Sequence, residues 1–442
     1  MGPQVDPVVS DQKFPEKADA VVIGGGIIGV SSALFMAERG MDVVVVEKGH
    51  IAGEQSSRNW GWVRQLYRDP REFDLIREAL GLWRGIDQRI DGDTGFTQCG
   101  ILYGARNDKD VEAYRAWAEK AAASGIATEL RSGSEMEKHL PGDRDLPKAI
   151  LLCPGDGRAE PQKAAPAIAL GARARGARIF TDCAARGIEM AGGEVAGVVT
   201  ERGRIATKNV VVAGGAWSRR ILSDLDIVLP QLKVRASVAR TSPVEGGPEV
   251  SIWDDVLGLR KRADGGYTLA NGLSNAAPLT PDSFRFFFDF LPVLAMDWRH
   301  VGLRLDERFF SEWRERKPVP YDQPSPYEAC RVLDPKPDLG YVRKCFEEAK
   351  RRFPVFNEAR LVQTWAGFID TTPDIVPVIS PVEGRSGLIV ATGFSGHGFG
   401  IGPGAGHLVA DLVTGEKPIA DPHAFRLSRF SDGSRPRPMT NL

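Results

Sequence analysis

The run Ala-Val-Val-Ile-Gly-Gly-Gly-Ile-Ile-Gly at 20–29 constrains this chain more than any other feature. The apolar runs at 20–23 and 43–46 read as buried parallel strands, because neither shows the alternation of a strand with one wet face. Between them lies the spacing G-x-G-x-x-G. Gly24 permits the tight turn, Gly26 lets backbone approach a pyrophosphate, and Gly29 lets the following helix pack closely on the strand. That helix, predicted over about 28–39 and stopped by Gly40, would bring unpaired N–H groups and a positive dipole end to the phosphates. Glu47 follows the second run, roughly 20 residues past the glycines, where a carboxylate accepts hydrogen bonds from an adenosine ribose and repels a 2′-phosphate. A Rossmann-like unit holding a dinucleotide other than NADP is expected.

With 442 residues the chain exceeds one simple core, so two domains or interleaved lobes are expected. The net charge of −1, with both signs spread throughout, leaves no nucleic-acid footprint. The five cysteines form no C-x-x-C pair, which favours reduced thiols, and no metal site is expected. The polar, proline-containing start has no apolar segment behind a basic one, and no apolar run reaches transmembrane length. A cytoplasmic protein is the expectation.

After Glu47 comes a glycine and serine loop carrying arginines and two tryptophans, "KGHIAGEQSSRNWGWVRQLYRDP", then a helix over about 73–89. "GILYGA" reads as a strand, "KDVEAYRAWAEKAAASG" as a charged helix, and "AEPQKAAPAIALGARARG" as a helix begun after a proline and ended by Gly176. Short strands follow, with a hairpin signal at 191–194, and close on "NVVVAGGAWS", a second apolar strand ending in glycines and expected beside the first. "KVRASVART" and "GYTLANG" suit a separate antiparallel sheet. Residues 284–340 are rich in aromatics, prolines and charge. The chain then returns to a strand, a glycine turn and a helix over about 402–412.

These pieces, together with "WAG" at 365–367, "TTPD" at 371–374 and "GFSGHGFGIGPGAG" from Gly393, resemble the FAD-dependent amine oxidoreductases of the D-amino-acid oxidase superfamily, above all the glycine oxidase and monomeric sarcosine oxidase branch. The resemblance spans nearly the whole chain. It implies an α/β plus α+β fold: a Rossmann-like FAD-binding domain (18–84, 150–228 and 360–420) interleaved with a substrate domain built on a large antiparallel sheet (85–149 and 229–359, with the aromatic insert at about 284–340). FAD would lie with its adenosine on Glu47 and Lys48 and its pyrophosphate on Gly24–Gly29, including Ile27 and Ile28. Ser56, Ser57, Arg58, Asn59 and Trp60 would run along its flavin side. Ala184 would contact adenine through backbone, and Ala213, Gly214 and Trp217 would lie near the pyrophosphate. Gly367 and the loop Gly393, Phe394, Ser395, Gly396, His397 and Gly398 would meet the flavin, where negative charge develops on reduction.

The sequence also departs from the pattern. The flavin-linking cysteine of sarcosine oxidase falls at Gly367, so noncovalent FAD is expected. The lysine that promotes reaction with oxygen is matched by Thr268, with Lys261 one strand earlier, which puts oxygen as acceptor in question. The family's carboxylate-binding positions hold Ile369-Asp370 and Gly400, so other cations must serve: Arg58 and Arg64 first, Arg260 and Arg262 behind them. His397 would tune the flavin, and Trp60, Trp62 and Trp365 could wall an amine cage, with plain packing the expectation for Trp62. Tyr267 completes the candidate catalytic set of Arg58, Arg64, His397 and Trp365.

The reaction expected is oxidation of a small amino acid, a secondary amine such as sarcosine or iminodiacetate, with hydrogen peroxide formed if oxygen is the acceptor. The alternatives are a dehydrogenase of a D-amino acid, cyclic imino acid or polyamine conjugate that uses another acceptor, and a noncatalytic flavin subunit of an oxidase assembly. Homo-oligomerisation through the aromatic insert is open.

Overall fold

In the computed structural model, which describes residues 2–270, 275–297, 301–434 and 436–439, the two valine-rich runs are adjacent parallel strands, Ala20–Ile23 and Val43–Val46. Val210–Val212 and then Arg385–Thr392 continue the parallel sheet on one side, and Arg178–Phe180 on the other. Ala20, Val22, Val43 and Val45 enter one core, and Val21, Ile23, Val44 and Val46 enter a second. Both faces of the sheet are buried, which is why the runs are unbroken apolar rather than alternating.

On the first face the helix Ile27–Glu38 packs on Gly398–Thr414 and Pro161–Ala174, with Phe73–Ile90 against Gly398–Thr414. The last helix starts four residues earlier than its sequence suggests, because its glycines serve contact rather than propensity. A Cβ added at Gly406 would come within 2.4 Å of the Ser31 Cβ. The second face is covered by an antiparallel meander, Ala185–Ala191, Glu194–Thr200 and Gly203–Ala206, whose first turn is made by Gly192 and Gly193 at φ 60° and 86°.

The second sheet is mostly antiparallel. Leu232–Thr241 pairs along its length with Leu361–Thr371, and Tyr267–Ala270, Gly258–Lys261, Ser251–Trp253, Ile101–Ala105, Ala149–Cys153 and Glu129–Ser132 follow in order. Ala149–Cys153 and Leu361–Thr371 therefore belong to this sheet, and the boundaries expected at 149/150 and 359/360 move. Strand pairing across the sheet, invisible to local pattern, decides it. Asn271 and Gly272 of "GYTLANG" and Trp298 of the insert lie outside the described residues.

The insert contains the helices Pro281–Arg285, Phe287–Asp297 and Glu307–Glu315. Phe286, Phe290 and Val293 pack against Ile375, whereas Phe284, Phe288, Phe310 and Trp313 are each more than half exposed. No helix among the described residues is long and apolar enough to cross a membrane.

Candidate active site

One continuous cavity runs from the first glycine turn, between the two sheets, to an aromatic box. Gly24, at φ 115°, sits so close to the second glycine terminus that a Cβ would meet the Ala213 carbonyl oxygen at 2.4 Å. At Gly29 a Cβ would meet the Gly24 carbonyl oxygen at 2.0 Å. The helix that starts at Ile27 has no cap from Gly26; the Ser56 hydroxyl accepts the Ile27 N–H at 2.9 Å, and the remaining N–H groups of its first turn lie at the cavity. Glu47 accepts the Gly25 and Gly49 N–H groups at 2.7 and 2.8 Å, and burial pushes its carboxyl up against the pull of Lys48. Gly214 and Trp217 line the same end. This is a cradle for an extended dinucleotide, with an anion site at a helix terminus.

The middle is bounded by Ser56, Arg58, Asn59, Ala213, Gly367, Phe394, Ser395, Gly396 and Gly398. Asp370, reached from the long strand, accepts the Gly393 N–H at 2.8 Å and the Thr392 hydroxyl at 3.1 Å, and burial lifts it to about 6. His397 stands at the N-cap of the last helix without a side-chain cap bond among the described residues, and this amino end faces the region.

At the far end Trp60 and Trp62 meet edge to face at 4.7 Å, and Tyr103 lies 4.8 Å from Trp253 with Tyr67 beside it. Arg64 and Arg68 project among these rings. Arg64 donates to the Leu66 carbonyl at 2.9 Å and to the Tyr103 hydroxyl. Arg68 is 2% exposed, and its Nε and Nη1 meet no hydrogen-bond partner among the described residues. Burial, with Arg64 adding to it, pulls Arg68 down to about 9. The loop carrying both arginines is pinned: buried Asp156 accepts the Gln65 and Leu66 N–H groups at 2.8 and 3.0 Å, and the Trp117 indole donates to the Arg68 carbonyl at 2.9 Å. Tyr67 and Ser395 hold φ of 55° and 48°, strain placed on the cavity wall.

Several expected residues stand elsewhere. Arg58 lines the cavity, but its guanidinium is committed to Asp334 at 2.6 Å and the Ala366 carbonyl at 2.8 Å. Trp365 lies behind it, donating to the Arg58 carbonyl and packing on Trp60. Ser57 turns away, its carbonyl accepting from Gln162 at 2.5 Å. Ala184 has both backbone groups paired with Glu201, and Ala185 lines the cavity instead. Gly393 is spent on the Asp370 turn, and Gly29 on helix packing. Tyr267 faces the helix Leu339–Arg352 and bonds Pro248 at 3.1 Å, because the alternation of its strand sends it to the opposite face. Arg260 is paired with Glu160, Arg262 lies beside Glu160 and Asp264, and Thr268 is held between the two arginines. Lys261 pairs with Glu249 on the surface. Trp62, expected to be packing only, does line the cavity. Arg68 was missed. Its signal is the second arginine four residues after Arg64, across a tyrosine forced into a left-handed turn.

The family profile "FAD dependent oxidoreductase" matches residues 19–412. The chain belongs to that family. It is therefore an FAD-dependent oxidoreductase. Among solved structures, L-amino acid deaminase from Proteus myxofaciens, in complex with anthranilate, is similar over 97% of both chains, with 33% identity and a TM-score of 0.94. Sarcosine oxidase subunit beta of Arthrobacter sp is 26% identical, covering 95% of this chain and 93% of its own. Mitochondrial sarcosine dehydrogenase of Mus musculus is 24% identical over 97% of this chain, which spans 43% of that relative's length.

Proposed function

We propose that this protein oxidises an α-amino acid with a bulky apolar side chain to its imine, which hydrolyses to a 2-oxo acid and ammonia. Buried Arg68 carries the reading. A guanidinium with two unpartnered nitrogens, next to a second arginine and among aromatic rings, is built to receive a carboxylate attached to an apolar group. The likeness to an L-amino acid deaminase solved with anthranilate, an aromatic carboxylate, supports both the class and the aromatic character.

Bound FAD supplies the two-electron oxidant that takes a hydride equivalent from the carbon bearing nitrogen. Glu47 would hold its ribose, the turn at Gly24–Gly26 and the helix starting at Ile27 would hold its pyrophosphate, and the amino end of the last helix would stabilise negative charge on the flavin. Arg64 and Arg68 fix the substrate carboxylate. Trp60, Trp62, Tyr67, Tyr103 and Trp253 enclose its side chain and exclude water. None of the five cysteines lines the cavity, which supports noncovalent FAD. That all five are free supports a cytoplasmic location.

The N-substituted glycine expected from sequence is the second reading, favoured by the sarcosine-named relatives. The test is anaerobic bleaching of the purified yellow protein by L-phenylalanine, L-leucine, sarcosine, iminodiacetate, L-proline and D-alanine. Bleaching by L-phenylalanine and L-leucine ahead of the rest is expected. Preference for sarcosine selects the second reading, and no bleaching by any of them points to a noncatalytic flavin subunit.

An acceptor other than oxygen is part of the proposal. Among the described residues Lys48 is the one lysine on the cavity, and it is held by Glu54 and two carbonyls, so no lysine stands ready to promote reaction with oxygen. Bleached protein is expected to recolour slowly in air and rapidly with a soluble quinone. Equal recolouring in air would assign oxygen.

A further inference from the structure

Glu72, at the turn that leads into the helix Phe73–Ile90, is fully buried, and neither of its oxygens has a hydrogen-bond partner among the described residues. Its Oε2 lies 3.7 Å from His397 Nδ1, which is also without a partner. His397 in turn lines the cavity beside Arg68 and Arg64. Three side chains from two distant parts of the chain thus meet at the substrate end with five unsatisfied buried polar atoms: two on Glu72, one on His397 and two on Arg68. Orphan groups concentrated in this way mark a place where charge or protons change hands.

The proposed reaction creates such a need. An amino acid arrives as an ammonium, whose nitrogen has no lone pair to stabilise loss of hydride from the neighbouring carbon, so one proton must leave first. We propose that Glu72, acting across His397, takes the proton shed by the substrate ammonium. The N–H bond of the ammonium breaks as an Nε2–H bond forms on His397; the Nδ1–H bond breaks as the Glu72 carboxyl O–H forms. The imidazole ends neutral in its other tautomer, the amine ends neutral, and no oxidant is needed for this step. The Nδ1 to Oε2 separation closes to a hydrogen bond of about 2.8 Å by a shift of less than ~1 Å when the site is filled. This proposal rests on the amino-acid reading above. Glu72 does not touch the substrate; it is a positioning and proton-storing residue.

The charges balance. Glu72 is faced by Arg64 and Arg68 from the preceding loop, by Asp69 and Arg71 on its own turn, and by His397 from the last helix. In the free protein its carboxylate is the acid that most favours the charged form of Arg68. Once the substrate carboxylate takes that role, Glu72 can be neutral at no electrostatic loss, and it has the proton of the ammonium to make it so. Burial lifts the Glu72 carboxyl to about 7, while burial and the two arginines hold His397 well below its usual value, so His397 passes a proton on rather than keeping it.

The sign of the pH dependence follows. Glu72 accepts a proton only as carboxylate, so flavin reduction rises with pH through about 7 and levels off above it. The experiment follows anaerobic reduction of the FAD-loaded protein by L-phenylalanine from about pH 6 to about pH 10, in the wild type, Glu72→Gln, Glu72→Asp and His397→Asn. Glu72→Gln is expected to be on the order of a hundredfold slower at neutral pH and to recover in alkali, where the free substrate amine is already neutral. Glu72→Asp should keep part of the neutral-pH rate, and His397→Asn should shift to alkali like Glu72→Gln, so a misfolded Glu72→Gln would still leave the relay testable. Reduction of the wild type with the same pH profile in the variants overturns the relay alone. No reduction of the wild type by any amino acid overturns the reading on which it rests.

Discussion

Replacing Arg68 with methionine is expected to raise the amino-acid concentration that half-saturates flavin reduction on the order of a hundredfold while the protein stays yellow. Charge-assisted hydrogen bonds to a desolvated carboxylate contribute about 2 to 3 kcal/mol, and Arg68 has two donors with no other partner among the described residues. The fold should tolerate the change. Methionine fills similar volume, and a buried cation without partners is a cost in the free protein rather than a support. Losing Arg68 also removes a positive neighbour of Glu72, so the Glu72 carboxyl moves further up. A melting midpoint equal to or above the wild type, together with weakened saturation, is the expected pair of results. Arg58→Met should behave oppositely. It breaks the bonds to Asp334 and Ala366, so stability and flavin retention suffer before substrate affinity does. If Arg68→Met leaves saturation by L-phenylalanine unchanged, the carboxylate is held elsewhere.

Gly29→Ala should yield a protein that purifies without flavin and melts several degrees lower. Its Cβ would lie 2.0 Å from the Gly24 carbonyl oxygen, a backbone atom that cannot swing aside, with a Val22 methyl 3.2 Å away. The helix must shift off the strand, an overpacking cost of ~3 kcal/mol, and that shift moves the N–H groups meant for the pyrophosphate. Loss of the bound cofactor then removes its own stabilisation by mass action. Gly81→Ala is the control. Gly81 lies within the helix Phe73–Ile90 with nothing inside 4 Å of an added Cβ, so alanine there should keep the flavin and slightly raise stability. The measurements are the ratio of flavin to protein absorbance and the thermal midpoint. A yellow Gly29→Ala protein would mean that the turn is looser than its contacts indicate.

The two predictions probe parts of the site that differ in how they were encoded. The cofactor end is local: a strand, three glycines, a helix and an acid within about thirty residues, each required by a backbone approach or a dipole. The substrate end is assembled across the chain. Arg64 and Arg68 come from an early loop, Tyr103 and Trp253 from neighbouring strands far apart in sequence, and His397 from the last helix. The same non-local logic removed Tyr267, Arg260 and Arg262 from the candidates. One residue of strand register separates a side chain on the cavity from one in the core behind it, and Glu160 already claims Arg260.

From the sequence alone follow the parallel sheet, the dinucleotide turn, Glu47 as its acidic partner, and the family with its FAD, because these rest on short-range spacing and on the order of motifs. Tertiary structure alone decided which cations are free to meet a carboxylate. Freedom of a buried charge depends on whether another charge lies within a few ångströms, and Asp334 and Glu160 reach Arg58 and Arg260 from positions no local pattern connects. Among the described residues Arg68 has no such bonded partner, and that difference is a property of the packed interior.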